Sequence, residues 1–228
     1  MESGGNGFAF DDVVVERGGV RALDGFSAEV PGRDVTAVSG PSGSGKSTLL
    51  RLCNRLEVPT RGRVSFRGQD IAGLDPLRLR RRVGMVFQRP TPFPGTIDDN
   101  LRTASPDATR ARMEDALERA ALDGSWLDRD ATQLSGGEAQ RACVARTLIT
   151  QPEVLLLDEP TSALDAAATD IFEQAVRRLV ADGMTVLWVT HDAAQVRRVA
   201  DRVLTVEWGR CTGIEPVARP AHPEEVAR

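Results

Sequence analysis

Between residues 8 and 15 apolar and polar positions alternate and β-branched side chains dominate; Arg17-Gly18-Gly19 breaks the run, and alternation resumes over 20–30 up to Pro31-Gly32. This pattern predicts two antiparallel strands. A short apolar run at 35–38 is followed by a glycine-rich gap and then by helical spacing over 49–56. Residues 63–66 predict a short strand, Asp75-Pro76 opens a helix running through Arg82, and 83–87 predicts a buried strand ending at Gln88. Pro90, Pro92 and Pro94 keep 89–95 out of any helix, so this stretch is expected to be an extended loop and a boundary. Beyond it, 97–103, 108–122 and 136–150 carry helical spacing with no strand between them, which predicts an all-helical unit over 89–150. The run 154–157 is apolar without interruption, as in a strand covered on both faces. Helix 166–181, strand 185–189, helix 193–199 and strand 203–207 then complete a βα alternation. The fold class expected is α/β, a parallel sheet with helices on both faces, an N-terminal antiparallel β element and an inserted all-helical subdomain. Residues 1–88 and 151–212 form the discontinuous core, and 213–228 reads as a short proline- and acid-rich tail without a core pattern.

The 228 residues suffice for one domain with an insertion. A formal net charge of −4 leaves no nucleic-acid footprint, and the cluster Arg78, Arg80, Arg81 and Arg82 reads as a solvated helix face. No apolar run approaches the roughly 20 residues that cross a bilayer, and the first residues lack the apolar core of a signal peptide, so a cytosolic chain is expected. Cys53, Cys143 and Cys211 lack C-x-x-C spacing and read as buried or free thiols.

Chemistry enters in the glycine-rich gap, Gly40-Pro41-Ser42-Gly43-Ser44-Gly45-Lys46-Ser47-Thr48, set between strand and helix. The glycines let the backbone turn tightly and aim N–H groups inward, where the positive end of the following helix also faces a polyphosphate. Lys46 adds a point charge for the β- and γ-phosphates, and the Ser47 hydroxyl completes a Mg2+ shell. Lys46 is the single lysine of the chain; arginine's rigid fork would not enter such a loop as a compact ammonium does. A nucleoside triphosphate is thus the expected ligand. Ser135, Gly136 and Gly137, within LSGGEAQR, stand at a second predicted helix N-terminus and read as a second anion site. Asp158-Glu159 follows the apolar run, and His191 follows strand 185–189 at the end where parallel sheets bind ligands. Neither that placement nor anything else favours His222.

Together these motifs resemble the nucleotide-binding subunits of ATP-binding cassette (ABC) transporters, over about residues 8–209. The resemblance implies ATP and Mg2+ as cofactors, with Asp158 holding the metal through water, Glu159 polarising the attacking water, Gln88 reaching metal and water, and His191 sensing the γ-phosphate. It implies that two subunits pack head to tail, Ser135 to Gly137 closing on the partner's nucleotide and Asp165 of the SALD stretch locking the pair; read alone, Asp165 is a helix N-cap. Where the family carries an adenine-stacking aromatic this chain has Arg17, whose guanidinium can stack on a base. The partners implied are integral membrane permease subunits and a second cassette, a homodimer before a heterodimer, with an extracytoplasmic solute-binding protein as an optional component and the cassette peripheral on the inner face of the cell membrane. The stretches around Pro92-Phe93-Pro94 and Leu52 to Gly62 resemble cassettes of phosphate importers, whereas Asn54 to Thr60 also resembles short metal-export cassettes. A non-transport ABC switch acting on another partner is the alternative of a different class.

Overall fold

The computed structural model describes residues 7–218. In chain order the elements are β1 (Phe8–Arg17), β2 (Val20–Val30), β3 (Val35–Ser39), α1 (Lys46–Cys53), β4 (Arg61–Phe66), β5 (Gln69–Asp70), α2 (Pro76–Arg82) and β6 (Val83–Val86). The helical unit follows, with α3 (Ile97–Ala104), α4 (Arg110–Arg119) and α5 (Gly136–Leu148), and then β7 (Val154–Asp158), α6 (Ala166–Ala181), β8 (Thr185–Val189), α7 (Ala193–Val199), β9 (Arg202–Glu207) and β10 (Arg210–Pro216). Strands β2, β1, β4 and β5 form an antiparallel sheet, and β10-β9-β3-β8-β7-β6 a second sheet, parallel except for β10.

Side-chain alternation along the parallel strands sorts residues between two cores. Val35, Ala37, Leu155, Leu157, Val186 and Trp188 face the helical unit and α6, where Trp188 meets Phe172 edge to face at 5.6 Å. Val38, Val154, Leu156, Leu187 and Val189 face the other way, onto α1 and the antiparallel sheet with Phe26 and Phe66. Burial on both faces is why β7 and β8 read as unbroken apolar runs.

Element boundaries depart from the sequence expectation chiefly in α1, in α4 and in the tail. Helix α1 starts at Lys46 rather than 49, because Gly45, at φ 108, turns the loop straight into the first helical turn; it stops at Cys53, and Arg55 beyond it is left-handed at φ 55. Helix α4 is shorter than 108–122, begun by the Thr109 cap and followed by Ala121 at φ 58. The tail reading also needs correction: Gly213 to Pro216 belong to β10, which pairs with β9 from Arg210 to Pro216. A register shift between Cys211 and Gly213 breaks the alternation that would have marked the strand. His222 and the rest of the expected tail from 219 onward lie outside the described residues.

The helical unit docks through α5 onto β6, with Gly84 at the joint. A Cβ there would lie 2.3 Å from Cγ2 of Thr147. Gly84→Ala is therefore expected to push α5 off the sheet and cost about 1–3 kcal/mol, the usual penalty of overpacking; urea denaturation with an unchanged midpoint would show that the joint yields freely.

Candidate active site

The glycine loop joins β3 to α1 and is clamped by backbone on both sides. A Cβ at Gly40 would stand 2.0 Å from the Val206 carbonyl oxygen, and one at Gly45 would stand 2.4 Å from that of Ala22. Ser44 N–H donates to the Pro41 carbonyl at 3.2 Å, and Gly209 N–H donates to the Ser44 carbonyl at 3.1 Å. The Ser44 carbonyl is thus bonded outward, to the β9–β10 turn, while the Pro41 carbonyl closes a turn within the loop.

Helix α1 has no side-chain cap, whereas α2 through α7 each begin with a Thr, Ser or Asp side chain accepting a first-turn N–H. The first-turn donors of α1 are thus left for an external anion. The Lys46 ammonium donates to the carbonyls of Gly40, at 2.8 Å, and Pro41, at 2.7 Å, which folds it over the loop. The Ser44 hydroxyl is buried with no protein partner, and nothing stands within 4 Å of a Cβ built on Gly43. These residues fit a polyphosphate.

A cavity of about 440 Å3 opens over the loop, lined by Ala22, Gly40, Ser42, Gly43, Gly45, Lys46, Ser47, Thr48, Glu159 and His191. At its floor the Ser47 hydroxyl donates to Oδ1 of Asp158 at 2.9 Å. Burial pushes the Asp158 carboxyl above the usual aspartate range, against the bond from Ser47. A hydroxyl and a carboxylate side by side form an oxygen donor pair that fits Mg2+. Oε2 of Glu159 is shared: Gln88 Nε2 donates to it at 3.3 Å and His191 Nδ1 lies 3.6 Å away. Gln88 Nε2 also reaches the Ser162 hydroxyl at 3.4 Å. Glu159 itself stands at φ 46, a left-handed position costly for a residue that carries a Cβ, with its N–H donating to the Val189 carbonyl at 3.1 Å. β7 and β8 together thus fix the carboxylate at the cavity edge.

Other predicted residues lie elsewhere. Arg17 forms an ion pair with Glu57 and does not line the cavity. Ser135, Gly136 and Gly137 are also absent from its lining. Ser135 caps α5 reciprocally with Glu138, whose carboxylate accepts from Ser135 N–H at 2.8 Å and is held below the usual glutamate range chiefly by that bond. The expected second anion site therefore carries a carboxylate of its own, while Ser135 and Gly136 remain exposed. Asp165 caps α6, accepting from Ala168 N–H at 2.8 Å. Ala168 and Leu164 pack beside Gly137, 3.0 and 3.8 Å from where its Cβ would be.

Three contributions escaped the sequence reading. Ala22 lines the cavity from β2, a strand whose pattern gives no sign of it. Gln140 is buried and donates to the Phe87 carbonyl at 3.2 Å, tying α5 to the strand end before Gln88; an amide inside a mostly apolar helix face was the available signal. Asn100, also buried, exchanges hydrogen bonds of 2.8 and 2.9 Å with the backbone of Phe93, and so fixes the proline loop.

A profile of the ABC transporter family matches residues 23–162. The chain is 44% identical over 216 residues to Protein STAR1 of Oryza sativa subsp. japonica, covering 91% of this chain and 62% of that one. It is 42% identical over 225 residues to the phosphate import ATP-binding protein PstB of Pyrobaculum aerophilum, covering 90% and 88%. Among solved structures, the dimeric post-hydrolysis state of the ATP-binding cassette MJ0796 bound to ADP and Pi superposes with a TM-score of 0.80 at 30% identity, covering 92% of this chain and 99% of that one.

Two substitutions test the geometry. Gly45→Ala meets the Ala22 carbonyl and an unfavourable φ together, so it should cost well beyond the roughly 1–3 kcal/mol of backbone strain alone and abolish ATP binding. Gly43→Ala, with φ 76 and open space, should carry only the strain; equal losses of thermal stability in the two variants would contradict the clamp. Asp158, with its folded pKa raised, opposes folding increasingly as pH rises through the ordinary aspartate value and above. Asp158→Asn is therefore expected to raise the melting midpoint at pH 7 while losing Mg2+-dependent turnover, and a lowered midpoint would refute the burial argument.

Proposed function

The chain belongs to the ABC transporter family as one of its ATP-hydrolysing cassettes, and from that membership we propose that it couples Mg-ATP binding and hydrolysis to solute transport through membrane permease subunits, with phosphate import as the specific role. The observation that carries the reading is the convergence of Lys46, Ser47, Asp158, Glu159, Gln88 and His191, drawn from four separate segments, on one cavity edge. Phosphate is favoured because the archaeal relative at 42% identity is named a phosphate import protein.

In this reading the loop donors and Lys46 hold the β- and γ-phosphates, and Ser47 and Asp158 hold Mg2+, which when bound neutralises phosphate charge. Glu159 orients water and takes its proton at Oε2, the atom Gln88 and His191 both approach. Gln88 then links the site to the proline loop, and His191 places an imidazole where the γ-phosphate would end. Arg17 would have to leave Glu57 before it could stack on a base. Adenine is therefore expected to be held less firmly than the phosphates.

In this reading Ser135, Gly136 and Gly137 act in trans. Ser135 and Gly136 are exposed and away from their own chain's cavity, so a second copy, packed head to tail, would bring them onto the nucleotide, with the Asp165 turn beside Gly137 at the seam. The solved dimer of the MJ0796 cassette supports a pair. No helix among the described residues is long and apolar enough to cross a membrane. In this reading the permease is a separate subunit, with this chain peripheral to it on the inner face of the membrane and a solute-binding protein on the other side in an importer. A second cavity of about 440 Å3, whose lining includes Arg80, Phe87, Pro90, Phe93, Ala104 and Arg146, lies between the sheet and the helical unit and suits a cytosolic permease helix.

Glu159→Gln is expected to retain Mg-ATP and accumulate as a dimer on size exclusion, with turnover down at least about a hundredfold. A variant that stays monomeric at saturating Mg-ATP would sink the head-to-tail arrangement. Purification from gently solubilised membranes tests transport itself: a multi-spanning companion is expected, and phosphate should stimulate turnover of the reconstituted complex. Soluble companions alone would leave the ATPase standing and remove the transporter.

A further inference from the structure

At the opposite ends of the same strands lies a smaller cavity of about 260 Å3, and its walls include Arg33, Arg67, Arg119, Glu153, Asp182 and Met184. Two of the three arginines have left-handed backbones, Arg33 at φ 64 and Arg67 at φ 50, a conformation that L side chains avoid. Both are pinned there by long-range bonds. Arg33 N–H donates to the Thr185 hydroxyl at 2.8 Å, and Arg67 N–H donates to the Gly7 carbonyl at 3.0 Å.

The charges at the cavity do not cancel. Glu153 is shared between the cavity's Arg67 and Arg82 outside it, its two oxygens accepting from them, each at 2.5 Å. Neither the Arg33 nor the Arg119 guanidinium has a hydrogen-bond or ion-pair partner among the described residues. The one remaining carboxylate in the wall is that of Asp182, which is exposed in the turn after α6. Two arginines with unpartnered forks and a third held in part by Glu153 thus line a recess too small for a macromolecular segment, Arg33 and Arg67 at its exposed side and Arg119 half-buried. Guanidinium forks of this kind match tetrahedral oxyanions bidentately.

We infer that this cavity is a second anion site, separate from the nucleotide cavity, that takes a small soluble phosphate or phosphomonoester between Arg33, Arg67 and Arg119. Its position gives it a consequence. Arg119 belongs to the helical unit, at the end of α4, whereas Arg33 and Arg67 belong to the β part of the molecule. An anion held by all three bridges the two parts and restrains their relative motion. The inference does not rest on the transport reading.

The test uses the full chain carrying Glu159→Gln in excess Mg-ATP, so that the nucleotide cavity is filled, and inorganic phosphate as the probe. Side-chain arginine Nε resonances are followed by NMR during the titration. Saturable shifts at Arg33 and Arg119 are expected, with affinity reduced about tenfold or more in Arg33→Gln and in Arg119→Gln, and unchanged in Arg197→Ala, a surface control on α7. Absence of saturation at tens of millimolar phosphate, roughly the weak limit of useful affinity, overturns the site. So does phosphate affinity in the two glutamine variants equal to that of the chain with Arg33 and Arg119 intact, provided their spectra show native folds. Failure of Mg-ATP to bind would count against the nucleotide cavity alone, since the Arg33 and Arg119 resonances report their own surroundings.

Discussion

Backbone pressed on backbone holds the phosphate loop, and most of the active geometry follows from that. Gly40 lies against the Val206 carbonyl and Gly45 against that of Ala22, at separations no side chain would permit, and Gly209 N–H bonds the Ser44 carbonyl from the β9–β10 turn. With the Ser44 carbonyl held from outside and no room beside Gly40 or Gly45, the loop is kept from turning these peptides over. Its donors, with the first turn of α1, stay aimed at one point. The antiparallel sheet and the β9–β10 hairpin therefore contribute more than core. They are the two jaws that give a flexible glycine sequence one conformation.

From this fixed loop the rest of the site is reached across the sheet. Ser47, one residue into the α1 helix after Lys46, meets Asp158 at the end of β7, and Glu159 is carried over the edge by its left-handed backbone toward Gln88 and His191. Burial makes the Asp158 charge costly, which is a cost to folding that a bound cation would offset. Stability and the proposed metal-holding role thus pull apart at this residue, as stability and function commonly do at preorganised sites.

Local patterning made much of this legible. The loop, the strand before it, the Asp-Glu pair and the histidine could all be read because each depends on neighbours in sequence: an apolar run, a fixed glycine spacing, a residue just past a strand end. What escaped depended on distant segments. Arg17 occupies the place of a base-stacking aromatic in the linear order, yet Glu57, forty residues on, claims its guanidinium. The packing of Gly137 against Leu164 and Ala168 joins two motifs that the sequence presents as separate. β10 was hidden by a shift of register, and Gln140 and Asn100 by being ordinary amides whose backbone partners lie 53 and 7 residues away.

The parallel strands also impose a relation between the two ends of the molecule. β3 runs from beside Arg33 to the glycine loop, β7 from beside Glu153 to Asp158, and β8 from Thr185 to a point two residues before His191. Each strand thus has an arginine-cavity residue at its start and a nucleotide-cavity residue at its end. Five extended residues span roughly 17 Å, and strands buried on both faces at near-crystalline density do not stretch or shear locally. A restraint between Arg119 and the strand starts would consequently not deform the nucleotide cavity directly. It would act on the helical unit, which carries Arg119 and also the exposed Ser135 and Gly136, the surface that the proposed partner subunit must reach.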